Sequence, residues 1–147
     1  MTGTPGVECR VGGGNEILVV QFTAPLVTAS AGISSGSASI DGSPRLEGDT
    51  LIVNLADVAN GQTLSLAVDA VSDVFGQTLP ETVVNVSFLL GDTNGDGRVN
   101  VGDFVQTRGR SGQAADGSNF PWDVNLDGRI NVGDSIIVRS ASGTSLP

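Results

Sequence analysis

Asp92-Thr93-Asn94-Gly95-Asp96-Gly97-Arg98-Val99-Asn100-Val101-Gly102-Asp103 is repeated 31 residues later as Asp123-Val124-Asn125-Leu126-Asp127-Gly128-Arg129-Ile130-Asn131-Val132-Gly133-Asp134. Each string puts a side-chain oxygen at its first, third, fifth, ninth and twelfth positions, and Gly at its sixth. Asp, Asn and Gly also make ordinary polar turns. Two strings, each closed by Asp at the same offset, argue instead for a loop that wraps a hard cation.

The spacing is that of an EF-hand calcium loop, with Asp where most such loops close on Glu. Calcium takes six to eight oxygens. In the first loop Asp92, Asn94 and Asp96 would supply side-chain oxygens and Arg98 its backbone carbonyl. Asn100 would act directly or through water, and Asp103 would close the site. Asp123, Asn125, Asp127, Arg129, Asn131 and Asp134 repeat these roles. Two calcium ions per chain are expected, with residues 91–147 depending on them for order.

The repeat outlasts the loops. Val105 corresponds to Ile136, Arg108 to Arg139, and Ser111-Gly112 to Ser142-Gly143. Val101, Phe104, Val105 and Arg108 recur at helical spacing, as do Val132, Ser135, Ile136 and Arg139. Each loop should therefore lead into a short amphipathic helix, stopped near Gly112 or Gly143. Helices this short must pack on each other to persist. No helix is expected before either loop: Phe88-Leu89-Leu90 is strand-like, and Phe120-Pro121-Trp122 contains Pro. A loop–helix pair repeated without entering helices resembles a dockerin, the calcium-binding module that docks onto cohesin domains in bacterial extracellular complexes. The resemblance covers residues 91–147 and rests on Gly91–Gly97 and Asn100–Asp103. It implies a protein partner, a cohesin-like domain or a copy of the chain itself. The pairs Val101-Gly102 and Val132-Gly133 stand where the family often carries Ser-Thr-like pairs. With Arg108, Arg110 and Arg139 they form the candidate docking surface.

The first ninety residues read as strands. Val7, Cys9 and Val11 alternate with charged residues, and Ile17–Phe22 is continuously apolar, as in a central strand. Ala38 and Ile40 face one way. Leu51, Val53 and Leu55 alternate, as do Leu64, Leu66 and Val68, and then Val84, Val86, Phe88 and Leu90. Short strands at this spacing predict an antiparallel β-sandwich. Val71-Ser72-Asp73-Val74-Phe75-Gly76-Gln77-Thr78-Leu79 is similar to a loop of bacterial Ig-like surface domains, with Gln77 for the usual Asn. This second resemblance covers residues 5–90 and implies a non-catalytic spacer, stalk or adhesion module. The predicted fold is mainly β: an Ig-like sandwich over 1–90 and a tandem calcium loop–helix module over 91–147. Leu90 runs directly into Gly91-Asp92 with no Pro/Thr-rich linker, so a rigid unit is expected. Trp122, the single Trp, suits either an interdomain contact or a binding platform.

The chain carries seven Arg, no Lys and no His against sixteen acids, a net charge of −9. Six of those acids sit in the two loops. That balance argues against nucleic acid and against anionic membrane surfaces. No apolar run is long enough to span a bilayer, and the N-terminus lacks a signal-like stretch. Without His, Lys or Tyr, general acid–base work would fall to carboxylates already committed as metal ligands, so no enzyme is expected. Cys9 reads as a buried inert thiol in preference to one half of an intermolecular disulfide. The sum is an extracellular or cell-surface attachment module of a secreted bacterial protein. Two alternatives are a self-assembling subunit of a filament or surface layer, and a carbohydrate-binding module with few aromatic rings to offer.

Overall fold

The computed structural model describes residues 6–147, so the first five residues of the predicted sandwich lie outside the described residues. The described residues are mainly β, with two α-helices among them. It divides into two compact units. One holds Gly13–Ala59 and Leu64–Asn85; the other holds residues 6–12, Asn60–Thr63 and Val86–Pro147.

The strands are β1 (Gly6–Glu8), β2 (Glu16–Gln21), β3 (Leu26–Ser35), β4 (Ser39–Ile40), β5 (Arg45–Glu47), β6 (Thr50–Ala56), β7 (Gln62–Asp73), β8 (Thr78–Leu79) and β9 (Thr82–Phe88). One sheet has the order β1-β9-β7-β3, with β8 also on β7; the other is β2-β6-β4, with β5 also on β6. β3 contacts β4, β5 and β6, which brings the two sheets together. Leu51, Val53 and Leu55 of β6 and Leu64, Leu66, Val68 and Val71 of β7 are buried. Each such side chain stabilises the fold by about 1.5–3 kcal/mol.

Three strand expectations need correction. First, the sheets are not all antiparallel, because β1 runs parallel to β9, Gly6 opposite Val86 through Glu8 opposite Phe88. β1 stops at Glu8, and Val11 is 44% exposed instead of sharing the buried side of Cys9. Second, β2 is an edge strand among the described residues, not a central one. Its continuous apolar run splits into two faces, with Ile17 and Val19 more than 60% exposed. Third, β9 ends at Phe88. The chain then turns, with Asp92 N–H on the Leu89 carbonyl at 3.1 Å, and Leu89 rather than Leu90 becomes fully buried.

In the loop-bearing unit, Leu89, Val99, Val124 and Val138 form one buried cluster, with Phe104, Ile137, Ala141 and Leu146 packed against it. The helices α1 (Val101–Gly109) and α2 (Val132–Ala141) pack on each other. The unit reaches back to residues 6–12 because their backbone is tied into it. Gly91 N–H donates to Cys9 O at 2.9 Å, Leu89 N–H to Glu8 O at 3.0 Å, and Val11 N–H to Val124 O at 2.8 Å. Cys9, 3% exposed, donates its thiol hydrogen to Pro121 O at 3.3 Å. Before the second loop the chain makes one 3₁₀ turn, Phe120–Trp122, with Pro121 in its first positions, where a missing N–H costs nothing.

Candidate functional site

Both loops close around their first and last acids. Asp92 accepts from the amides of Gly95 at 2.9 Å and Asp96 at 3.1 Å through Oδ1, and from Gly97 at 2.8 Å through Oδ2. Asp123 repeats the pattern, Oδ1 with Asp127 N–H at 3.1 Å and Oδ2 with Gly128 N–H at 3.0 Å. Positive φ at Gly97 (81°) and Gly128 (83°) makes these turns possible without Cβ strain. Asn94 Oδ1 accepts from Asp96 N–H, and its Nδ2 donates to Asp96 Oδ2; Asn125 and Asp127 are joined in the same way.

The closing acids also cap the helices that follow. Asn100 and Asn131 are the N-caps of α1 and α2, each side chain accepting from the amide two residues on at 2.7 Å. Asp103 Oδ2 and Asp134 Oδ2 accept the cap residues' own N–H at 2.9 and 2.8 Å. That is a reciprocal capping box. Their Oδ1 atoms reach across the loop to the amides of Asn94 and Asn125 at 3.2 and 3.0 Å. Sequence reading missed this role, although an Asn followed three residues later by Asp ahead of a helix was its signal. Arg98 and Arg129 each donate their backbone N–H to the fifth-position Asp at 2.9 Å. They also form isolated bridges, Arg98 with Ser145 and Arg129 with Ala114. All twelve predicted residues therefore gather in two loops, one set in each.

The chemistry of the donor set tests what the loops suit. Asp92, Asp103, Asp123 and Asp134 are 5% exposed or less. The ion pairs among the described residues, Arg10–Glu8 and Arg45–Glu47, reach none of them. Burial pushes the Asp92 carboxyl above its ordinary range; the amides of Gly97 and Asp96 oppose this, and the nearby charge of Asp103 adds to it. Exposed Asp127 goes the other way, held low by the side-chain hydrogen bond from Asn125. Each loop thus holds two buried carboxylates that accept from backbone N–H groups and that the ion pairs of the described residues do not reach; carboxylates of this kind could hold a hard divalent cation. Among the described residues, no three acidic, Cys or His side chains stand close enough to form a ready-made metal group.

The helices turn their apolar stripe outward. α1 buries Asp103 and Thr107, and α2 buries Asp134, Ser135 and Val138. The closing Asp must face its loop, and that fixes the rotation of the helix. Val101 (71%), Val105 (58%), Val132 (68%) and Ile136 (59%) are left exposed. Beside them runs a groove of about 360 Å³ lined by Phe104, Arg108, Ser111, Val132, Ser135, Ile136 and Arg139. Arg110 leaves the predicted surface: its guanidinium lies 3.4 Å from the centroid of the Trp122 ring. Phe120 is similarly faced by Arg10 at 5.1 Å, so both aromatic rings of this turn meet cations within their own unit.

No protein-family model, no curated protein and no solved structure matches the chain.

Proposed function

We propose that this chain is a non-catalytic, calcium-dependent attachment module of a secreted or cell-surface bacterial protein. In this reading its loop-bearing unit is dockerin-like and its β-unit an Ig-like spacer. The observation that carries it is the outward face of α1 and α2. Four large aliphatic side chains stand more than half exposed there. Arg108 and Arg139, equivalent under the repeat, line the groove beside them. Contiguous exposed apolar surface marks an interaction site, and paired guanidinium groups favour an acidic or apolar protein face. The partner is a cohesin-like domain or a second copy of the chain.

Asp92, Asn94, Asp96, Asn100 and Asp103, with the carbonyl of Arg98, would hold one ion. Asp123, Asn125, Asp127, Asn131 and Asp134, with the carbonyl of Arg129, would hold the other. Bound calcium supplies the positive charge that each pair of buried carboxylates lacks. The chain's own residues do the rest: the closing Asp caps the helix, and the cap fixes which face points outward.

Calorimetry on the full chain tests this, with two calcium ions expected per molecule. In chelator, hydrogen exchange should rise across residues 6–12 and 86–147. Arg108→Glu with Arg139→Glu should weaken capture by cohesin-type domains or self-association while calcium uptake stays intact. No calcium uptake would sink the metal reading, and docking unchanged by charge reversal would remove the groove from it. A structural subunit of a filament or surface layer is the second reading. It draws on β2, an edge strand whose interior Ile17–Val20 lacks Pro and charge. Size that grows with concentration and is abolished by Val19→Lys would favour it.

A further inference from the structure

We infer that each metal loop is positioned by the segment leaving the helix of the other half, so that the chain after α2 sets the first loop and the chain after α1 sets the second. Leu146 N–H donates to Gly97 O at 3.0 Å, Val99 N–H to Thr144 O at 2.9 Å, and Gly143 N–H to Val99 O at 2.8 Å. Ala115 N–H donates to Gly128 O at 3.0 Å, Ile130 N–H to Gln113 O at 2.9 Å, and Gly112 N–H to Ile130 O at 2.8 Å. Adding 31 to each first-half residue and subtracting 31 from each second-half residue converts one set into the other. The two straps are thus exchanged about a pseudo-twofold.

The link to the ligands runs through one residue in each loop. Gly97, held by Leu146 through its carbonyl, donates its own N–H to Asp92 Oδ2 at 2.8 Å. Gly128, held by Ala115, donates to Asp123 Oδ2 at 3.0 Å. The peptide planes flanking this glycine therefore connect the strap on one side to the first ligand carboxylate on the other. Leu146 also packs against the buried cluster that contains Val99, and its Cδ1 lies 3.7 Å from where a Cβ on Gly97 would sit. The backbone N–H groups of Leu146 and Ala115 act on the metal only through Gly97 and Gly128; they are positioning groups, not ligands.

This inference rests on the calcium reading, and its test separates the two. In the full chain, Asp123→Ala leaves the first loop alone to bind calcium, and Asp92→Ala leaves the second. Replacing Leu146 or Ala115 by Pro deletes one N–H. In the Asp123→Ala chain, Leu146→Pro should lower calcium affinity roughly three- to tenfold, the effect of one lost backbone hydrogen bond, and Ala115→Pro should change it less than about twofold. In the Asp92→Ala chain the order should reverse. Leu146→Ala, which trims packing but keeps the N–H, should fall between. Effects that follow sequence proximity, or that are equal in both backgrounds, would overturn the inference. Amide exchange in the otherwise unsubstituted chain gives a readout without metal. Leu146→Pro should expose the amides of Gly97 and Val99 before those of Gly128 and Ile130. If no variant takes up calcium but exchange still crosses over in this way, the straps stand and the calcium reading falls. Exchange that rises equally in both loops would overturn the straps.

Discussion

Gly91 shows how much one position before the first loop decides. Its φ is +92°, and a Cβ there would sit 3.2 Å from Val99 Cγ1, 3.3 Å from Ala141 Cβ and 3.3 Å from Val138 Cα. None of these is the loose end of a flexible side chain. Gly91→Ala should therefore destabilise the loop-bearing unit by about 1–3 kcal/mol, through backbone strain and overpacking together. Gly109→Ala, with nothing within 4 Å of its Cβ, serves as the control and should be neutral or slightly stabilising. Chemical denaturation of the two variants checks this, and equal midpoints would refute it. At this scale the sequence was legible where chemistry and spacing coincide. Oxygen-bearing side chains at fixed offsets announced the loops. It was opaque where one pattern of residues fits two roles. Asn100 and Asp103 read only as ligands because a capping box and a metal loop ask for the same residue types at overlapping positions.

Elements were legible when one face was buried and the other was not. β6 alternates without a break, and so does β7 up to Val68. There the alternation slips: Ala70, with φ +49°, is exposed, and Val71 returns to the core. A bulge of that kind leaves no mark in the composition. The helices follow a different rule. The apolar positions Val101, Val105, Val132 and Ile136 do not define the buried side, because the buried carboxylate at the third helical position fixes the rotation instead. The buried face is also unequal between halves. Thr93 and Thr107 occupy the positions of Val124 and Val138, and Thr107 satisfies its hydroxyl on Asp103 O at 2.8 Å. Since both halves share one cluster, Asp92→Ala should raise hydrogen exchange in α2 as well as α1. A change confined to residues 92–111 would show the halves to be independent.

For the whole molecule the informative titration is alkaline. Burial, reinforced by the charge of Glu8, pushes the Cys9 thiol up to about 12 from an ordinary value near 9. The folded chain keeps this proton where the unfolded chain has lost it. Stability from this group is complete below about pH 9 and declines as pH rises toward 12. Thermal unfolding should thus show a falling midpoint across that window, and Cys9→Ala should flatten the fall; an unchanged slope in the variant would refute the assignment. Alkylation of the native protein at neutral pH should be slow, because the thiolate is scarce and the sulfur is buried. The tie between Cys9 and Pro121 also has a kinetic meaning. Their separation is 112 residues, so during synthesis the first partner leaves the ribosome long before the second exists. The β1 register with Val86–Phe88 waits almost as long. Non-local closure of this kind folds slowly, and the loop-bearing unit can finish only after translation has passed Pro121.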